Sequence, residues 1–158
     1  MGQQYPEQPV PAVAGVVIRR DDHGSCEVLL VKRANPPSQG EWSLPGGVLG
    51  LGETLEAGVI REIWEETGVR VEPVVVLEVL DHIVYDDVQN QQEAARVQFH
   101  YVLIDFLCRP VDQDTGDHAA GASDALDARW VRHKDVATLG LSSRTVRVIE
   151  KGFGQVDD

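Results

Sequence analysis

Between Gly47 and Val69 the chain reads GVLGLGETLEAGVIREIWEETGV, and no other stretch limits its fold so tightly. A glycine-rich turn and an isolated Glu53 lead into a segment with helical periodicity. Thr54 is the expected N-cap and Gly68 the expected C′ glycine, which predicts a helix from about Thr54 to Thr67. Glu62, Glu65 and Glu66 stand at i, i+3 and i+4 and so share one face. Like charges at this spacing destabilise an isolated helix, so a chain that gathers them calls for a cation between them. Clustered hard oxygen donors suit Mg²⁺ or Mn²⁺ far better than zinc. The stretch predicts a divalent-metal site suited to phosphate chemistry.

That helix also needs a surface to lie on. Leu55, Val59 and Ile63, with Ile60 and Trp64, form the expected apolar stripe, and Gly58 inside it permits a close approach by a neighbour. Val13–Ile18 and Cys26–Val31 read as a β-hairpin across the turn cluster at 21–25. A short extended piece, Ser43-Leu44-Pro45, precedes Gly46-Gly47. Val69–Tyr85 is rich in β-branched residues. Val97–Cys108 is apolar on both faces after Tyr101, so it belongs in the middle of a sheet. Asp105 sits alone in that run, and a bulge or a satisfied acceptor is its expected role. Ala128–Val131 is a last short strand. Leu141–Lys151 is a closing helix with Val146 and Ile149 inward. Strands on both sides of a central helix, with a second helix at the end, give an α/β fold, a mixed β-sheet sandwiched between helices. The expected division is an irregular arm over 1–12, one domain over 13–152 and a tail over 153–158.

At 158 residues the chain suits one domain with a substantial core. A net charge of −12 argues against binding the backbone of polymeric nucleic acid or an anionic membrane. It leaves small anionic substrates open, because a bound metal inverts the local potential. Cys26 and Cys108 lie in strand-like runs and are expected as reduced, buried thiols. The first fifteen residues lack a basic region followed by an apolar one, and no run approaches a membrane span, so a cytoplasmic location is expected.

The stretch resembles the Nudix box, G-x5-E-x7-R-E-U-x-E-E-x-G-U, with U a bulky aliphatic residue. Gly47, Glu53, Arg61-Glu62-Ile63, Glu65-Glu66 and Gly68-Val69 fill every fixed position. With each of the seven invariant residues at roughly 7% abundance, a chance match at one position is on the order of 10⁻⁸. The lead-in Trp42-Ser43-Leu44-Pro45-Gly46 is similar to the family too, and the strand order extends the resemblance over about 13–151. The resemblance implies a Nudix-type α/β/α sandwich and a hydrolase of nucleoside diphosphates linked to another group, using Mg²⁺ or Mn²⁺. By position, Glu62, Glu65 and Glu66 would be metal ligands, Glu53 a further ligand or orienter, and the Gly46 carbonyl another. Arg61 would hold the carboxylates in place. One residue must take the proton of the attacking water; Glu65 or Glu66 is the expected base, with Asp124 and Asp127 as alternatives.

Specificity in such a family comes from loops outside the box. Arg33, Tyr85 and Asp124 are the expected substrate contacts. Trp42 is expected to pack under its loop, and His82, Phe99 and Tyr101 are further aromatics that could line a base pocket. The segments VKRANPPSQGEWSLPGG and HYVLIDFLCRP resemble compact ADP-ribose pyrophosphatase-like members. This makes ADP-ribose or a similar nucleoside diphosphate sugar the leading expected substrate. Alternatives are triphosphates of oxidised or non-standard nucleosides and diadenosine polyphosphates. A non-catalytic nucleotide sensor of this fold would usually lack box glutamates, and none is missing here. A homodimer is an expectation carried by the resemblance alone.

Overall fold

The computed structural model describes residues 4–87, 94–111 and 125–156. The strand β1 (Val10–Arg20) is the spine of the sheet. Its first half lies parallel to β6 (Val97–Pro110), with Val10 opposite Tyr101 and Ala14 opposite Asp105. Its last residues pair antiparallel with β2 (Cys26–Arg33), as the hairpin pattern predicts. Along its other edge Ala12–Ala14 pairs with the short β4 (Gly46–Val48). β2 carries β3 (Trp42–Ser43) and β7 (Ala125–Arg132), and β6 carries β5 (Val71–Tyr85). The result is a mixed sheet, with β6 central between β1 and β5.

Helix α1 (Leu55–Thr67) covers one side of this sheet. Thr54 caps it, the hydroxyl accepting from the Ala57 N–H at 3.1 Å. Gly68 ends it at φ 72°, a conformation that costs glycine nothing. Val59 and Ile63 are fully buried and pack with Val13, Ile104 and Phe106. Gly58 lets the neighbouring loop come close: a Cβ there would meet Leu49 Cδ1 at 2.8 Å, so that side chain would have to shift. Leu55 at the helix start is exposed, and Ile60 and Trp64 do not join the stripe either; both are exposed. Each stands one residue beyond a buried position, and a 100° step carries it to the solvent side, where the Arg70 guanidinium lies 5.1 Å from the Trp64 ring.

On the other side a 3-10 helix (His133–Thr138) leads to α2 (Ser143–Val156). Its inward face is Val148, Ile149, Gly152 and Phe153, packed on Val16, Ile18 and Leu107, while Val146 is only half-buried. The helix runs past the expected end at Lys151 because Phe153, 1% exposed, belongs to the core. The N-terminal arm is likewise tied: the Tyr5 N–H donates to the Gln98 carbonyl, and the strand begins at Val10. Both cysteines are free thiols, and burial pushes Cys108 up to about 12. No helix among the described residues is long and apolar enough to cross a membrane.

Phe153→Ala should cost about 3–5 kcal/mol in a urea titration, the usual range for emptying a buried aromatic site. A loss below about 1 kcal/mol would place this last turn outside the core.

Candidate active site

The first turn of α1 faces the loop 49–53, and one arginine joins the two. Arg61 has five N–H donors and every one has an acceptor within reach. Nε and Nη2 grip both oxygens of Glu53, at 2.7 and 2.8 Å. Nη1 donates to Glu62 at 2.9 Å and to Glu65 at 3.1 Å, and Nη2 also reaches the Val48 carbonyl at 3.4 Å. This two-pronged grip holds the Glu53 carboxyl down at about 2, with help from the Gly50 N–H, and raises the guanidinium's own pKa.

Glu62 and Glu66 lie one turn apart on the edge of the buried stripe, 9% and 5% exposed, whereas Glu65 is exposed. Burial raises Glu62 more than Arg61 lowers it. The carboxyl of Glu62 lies under Gly47, in the space where any Cβ would stand. Glu66 accepts from the Gly46 N–H at 3.2 Å. A side chain on Gly46 would strike the Val13 carbonyl and Ala14. The two glycines are therefore what allow β4 to lie against the carboxylates. The structure brings together Glu62, Glu65 and Glu66, as helical spacing predicts, with Gly46, Glu53 and Arg61, the positions named by the resemblance.

Four carboxylates around one guanidinium leave a local excess of negative charge. Two of them are buried, which water cannot offset. The donor set is all hard oxygen, so it fits Mg²⁺ or Mn²⁺ by chemistry. As placed, among the described residues, no three carboxylates converge on one point. Arg61 stands between Glu53, Glu62 and Glu65 and occupies oxygens that an ion would need.

A cavity of about 170 Å³ opens beside β4 on the α2 side of the sheet. Gly46, Gly47 and Val48 form its wall toward the carboxylates. Arg33 reaches it, with Nε donating to the Pro37 carbonyl at 2.7 Å. Trp42, His82 and Tyr101 also line it. Phe99 stacks behind Tyr101, at 6.1 Å between centroids. Tyr85 is exposed at the far end of β5 and does not line the cavity. Asp127 is held by Arg129 at 3.1 Å and by the Ala128 N–H, on the strand opposite Lys32. Asp124 lies outside the described residues.

Two cavity residues were given no functional role from the sequence. Asp105 is 4% exposed and lines the cavity instead of sitting at a satisfied backbone position. Burial pushes it up to about 6, against the pull of Arg144. Arg144, from the start of α2, donates to His82 Nδ1 at 2.7 Å. Burial first, and then Arg144 and Arg33, push His82 down to about 4, so the ring is a neutral acceptor near pH 7. An isolated Asp in an apolar strand was the one available signal, whereas Arg144 carried none.

With this geometry in view, comparison with known proteins is decisive. A profile of the NUDIX domain matches residues 9–151. The chain belongs to the Nudix family. A MutT-like protein of Streptomyces ambofaciens is 56% identical over 61 residues, 39% of this chain and 35% of that one. An ADP-ribose pyrophosphatase of Methanocaldococcus jannaschii is 48% identical over 60 residues, 38% of this chain and 32% of its own length. The aligned stretch thus spans about a third of these curated relatives. A MutT NUDIX hydrolase of Burkholderia pseudomallei superposes with TM-score 0.67 at 27% identity, covering 92% of this chain and 98% of that one. The Nudix sandwich is the shared fold.

Asp105 gives the domain a pH signature. Its pKa is raised on folding from 3.8 to about 6, so its ionisation opposes folding; the cost is absent below about pH 4 and complete above about pH 6. Asp105→Asn should therefore be more stable than the parent at pH 8 by up to about 3 kcal/mol, at about 1.4 kcal/mol per pKa unit. Urea titrations at pH 4 and pH 8 check this, and an equal difference at both would contradict it. Arg61→Lys keeps the charge but loses the fork, so it should raise the Glu53 carboxyl from about 2 toward the ordinary range, with the Gly50 N–H still holding it part of the way down, as NMR of the Glu53 carboxyl would show.

Proposed function

We propose that this Nudix domain hydrolyses the pyrophosphate bond of a nucleoside diphosphate derivative. The observation that carries the reading is the Arg61-centred cluster of Glu53, Glu62, Glu65 and Glu66, pressed against the glycines of β4. A bound Mg²⁺ or Mn²⁺ would neutralise charge on the non-bridging oxygens and acidify a water. Glu62, Glu65 and Glu66 would hold it, with Glu53 and the Gly46 carbonyl as further oxygens.

The chain's own residues do the remaining work. Arg61 holds Glu53 ionised and pins the loop 49–53 to α1, so the carboxylates are oriented before substrate arrives. Glu65 is exposed and tethered by a single contact to Arg61, which leaves an oxygen free to take a proton from water. Glu66 is committed to the Gly46 N–H and buried, which suits a ligand better than a base. Glu65 is therefore the assigned base and Glu66 the alternative. Arg33, at the cavity mouth, faces where the phosphates would enter.

The leading substrate class is ADP-ribose and similar nucleoside diphosphate sugars, giving a nucleoside monophosphate and a sugar phosphate. It draws support from the relative named ADP-ribose pyrophosphatase and from a cavity separate from the carboxylates that can receive one half of such a molecule. The protein is read as acting on a small nucleotide in the cytoplasm.

A panel of ADP-ribose, other nucleoside diphosphate sugars, nucleoside triphosphates and diadenosine polyphosphates, assayed with Mg²⁺ in ¹⁸O-water, tests the reading. AMP and ribose 5-phosphate are the expected products, and higher kcat/KM on triphosphates would sink the substrate class. Glu65→Gln should lower kcat by about 10²–10⁴-fold, the usual worth of a general base, with the fold retained. Unchanged turnover in both Glu65→Gln and Glu66→Gln would overturn the site itself.

A further inference from the structure

The cavity beside β4 contains a carboxylate that the pyrophosphate chemistry leaves unused. Asp105 points from the middle strand into that cavity, and no described residue donates a hydrogen bond to it. A buried carboxyl kept for the fold alone would be expected to hold backbone N–H groups or a guanidinium. Arg144 is close enough to act on it electrostatically, yet the two form no ion pair. Its fork is instead aimed by His82, whose Nδ1 accepts at 2.7 Å. An acceptor and a donor thus stand side by side across open space. The walls around them are flat and apolar: Trp42, Leu44, Tyr101 and Leu103, with Ala12 and Ala14 as the short side chains that leave room.

We propose that Asp105 and Arg144 read the base of the nucleotide, the carboxyl accepting from the exocyclic amine of a purine and the guanidinium donating to the ring nitrogen beside it. This assignment rests on the nucleotide substrate proposed above. The aromatic walls give a planar ring its stacking surface, and the two polar groups fix its orientation. Adenine offers the required pair at its 6-amine with N1 or N7, and guanine at its 2-amine with N3. Unsubstituted purine keeps the ring nitrogens but has no amine and no N–H on its six-membered ring, so it offers the acceptor without the donor. Asp105 facing that ring meets only a C–H, so the pocket discriminates by a buried group left unpaired. Asp105 is then a specificity residue, and His82 a positioning residue that acts through Arg144.

Calorimetric binding of AMP, GMP and purine riboside 5′-monophosphate to the metal-free protein tests this without relying on turnover. At least one of AMP and GMP should bind about tenfold or more tightly than purine riboside 5′-monophosphate, which is one net hydrogen bond of about 1.4 kcal/mol; whichever does so identifies adenine or guanine. In Asp105→Leu that preference should shrink to within about twofold. Asp105→Asn, of nearly equal shape and with an amide oxygen that still accepts, should keep part of it and guards against a folding artefact. Equal affinity for all three nucleotides, binding of none, or a Leu variant that keeps the parent's preference would each overturn the assignment. The hydrolysis reading fails separately: amine-selective binding with no turnover of any panel member removes the reaction and leaves the base site standing.

Discussion

The five-donor grip of Arg61 is the contact on which the site depends. Without a cation at their centre, Glu53, Glu62 and Glu65 would repel one another, and Glu62 is already too buried for water to screen it. The guanidinium relieves this repulsion and also ties a loop residue to a helix eight positions later. A lysine would supply the charge but not the planar fork that reaches both Glu53 oxygens at once. The same grip occupies oxygens that a metal would use. A bound metal would share with Arg61 the neutralising of one pool of charge, and would need the arginine's hold on those oxygens to loosen.

Around this cluster the fold does two separate jobs. On one face, α1 is seated by Val59 and Ile63 so that Glu62 and Glu66 come to rest against β4, where Gly46 and Gly47 leave no Cβ in their way. On the other, α2 is seated by Val148, Ile149 and Phe153 so that Arg144 comes to rest over His82. β4 lies between the two, contributing to the carboxylate site and to the cavity wall alike. In the reading proposed above, α1 carries the reaction chemistry and the cavity under α2 the selectivity.

That division explains what the sequence could disclose. The carboxylate site is local: its chemistry lies within 23 consecutive residues, and helical spacing alone puts Glu62, Glu65 and Glu66 together. The cavity is assembled from long range. His82 comes beside Tyr101 through the β5–β6 register, Asp105 comes beside Ala14 through the β1–β6 register, and Arg144 arrives on a different element. No periodicity in the chain encodes those encounters. The misread helix positions have a simpler cause. Ile60 and Trp64 are apolar, but apolar character does not fix a face, and each lies a full 100° step past a buried neighbour. Tyr85 illustrates the strand version: it stands at the end of β5, past a register shift between Val84 and Tyr85, and beyond the reach of the cavity.

Asp105 is where local and long-range information conflict. In a strand bounded by Ile104 and Phe106, an aspartate works against burial, and the economical sequence reading makes it a backbone acceptor. No described residue donates to it, and it lies on a cavity wall with its pKa raised. A position that destabilises the folded chain at neutral pH, yet faces the space where a substrate can sit, makes more sense as part of binding than of folding. The same reasoning applies to His82, half-buried at the cost of its own protonation while it steers an arginine. Polar groups that are costly to bury set this cavity apart, and no motif in the chain announces them.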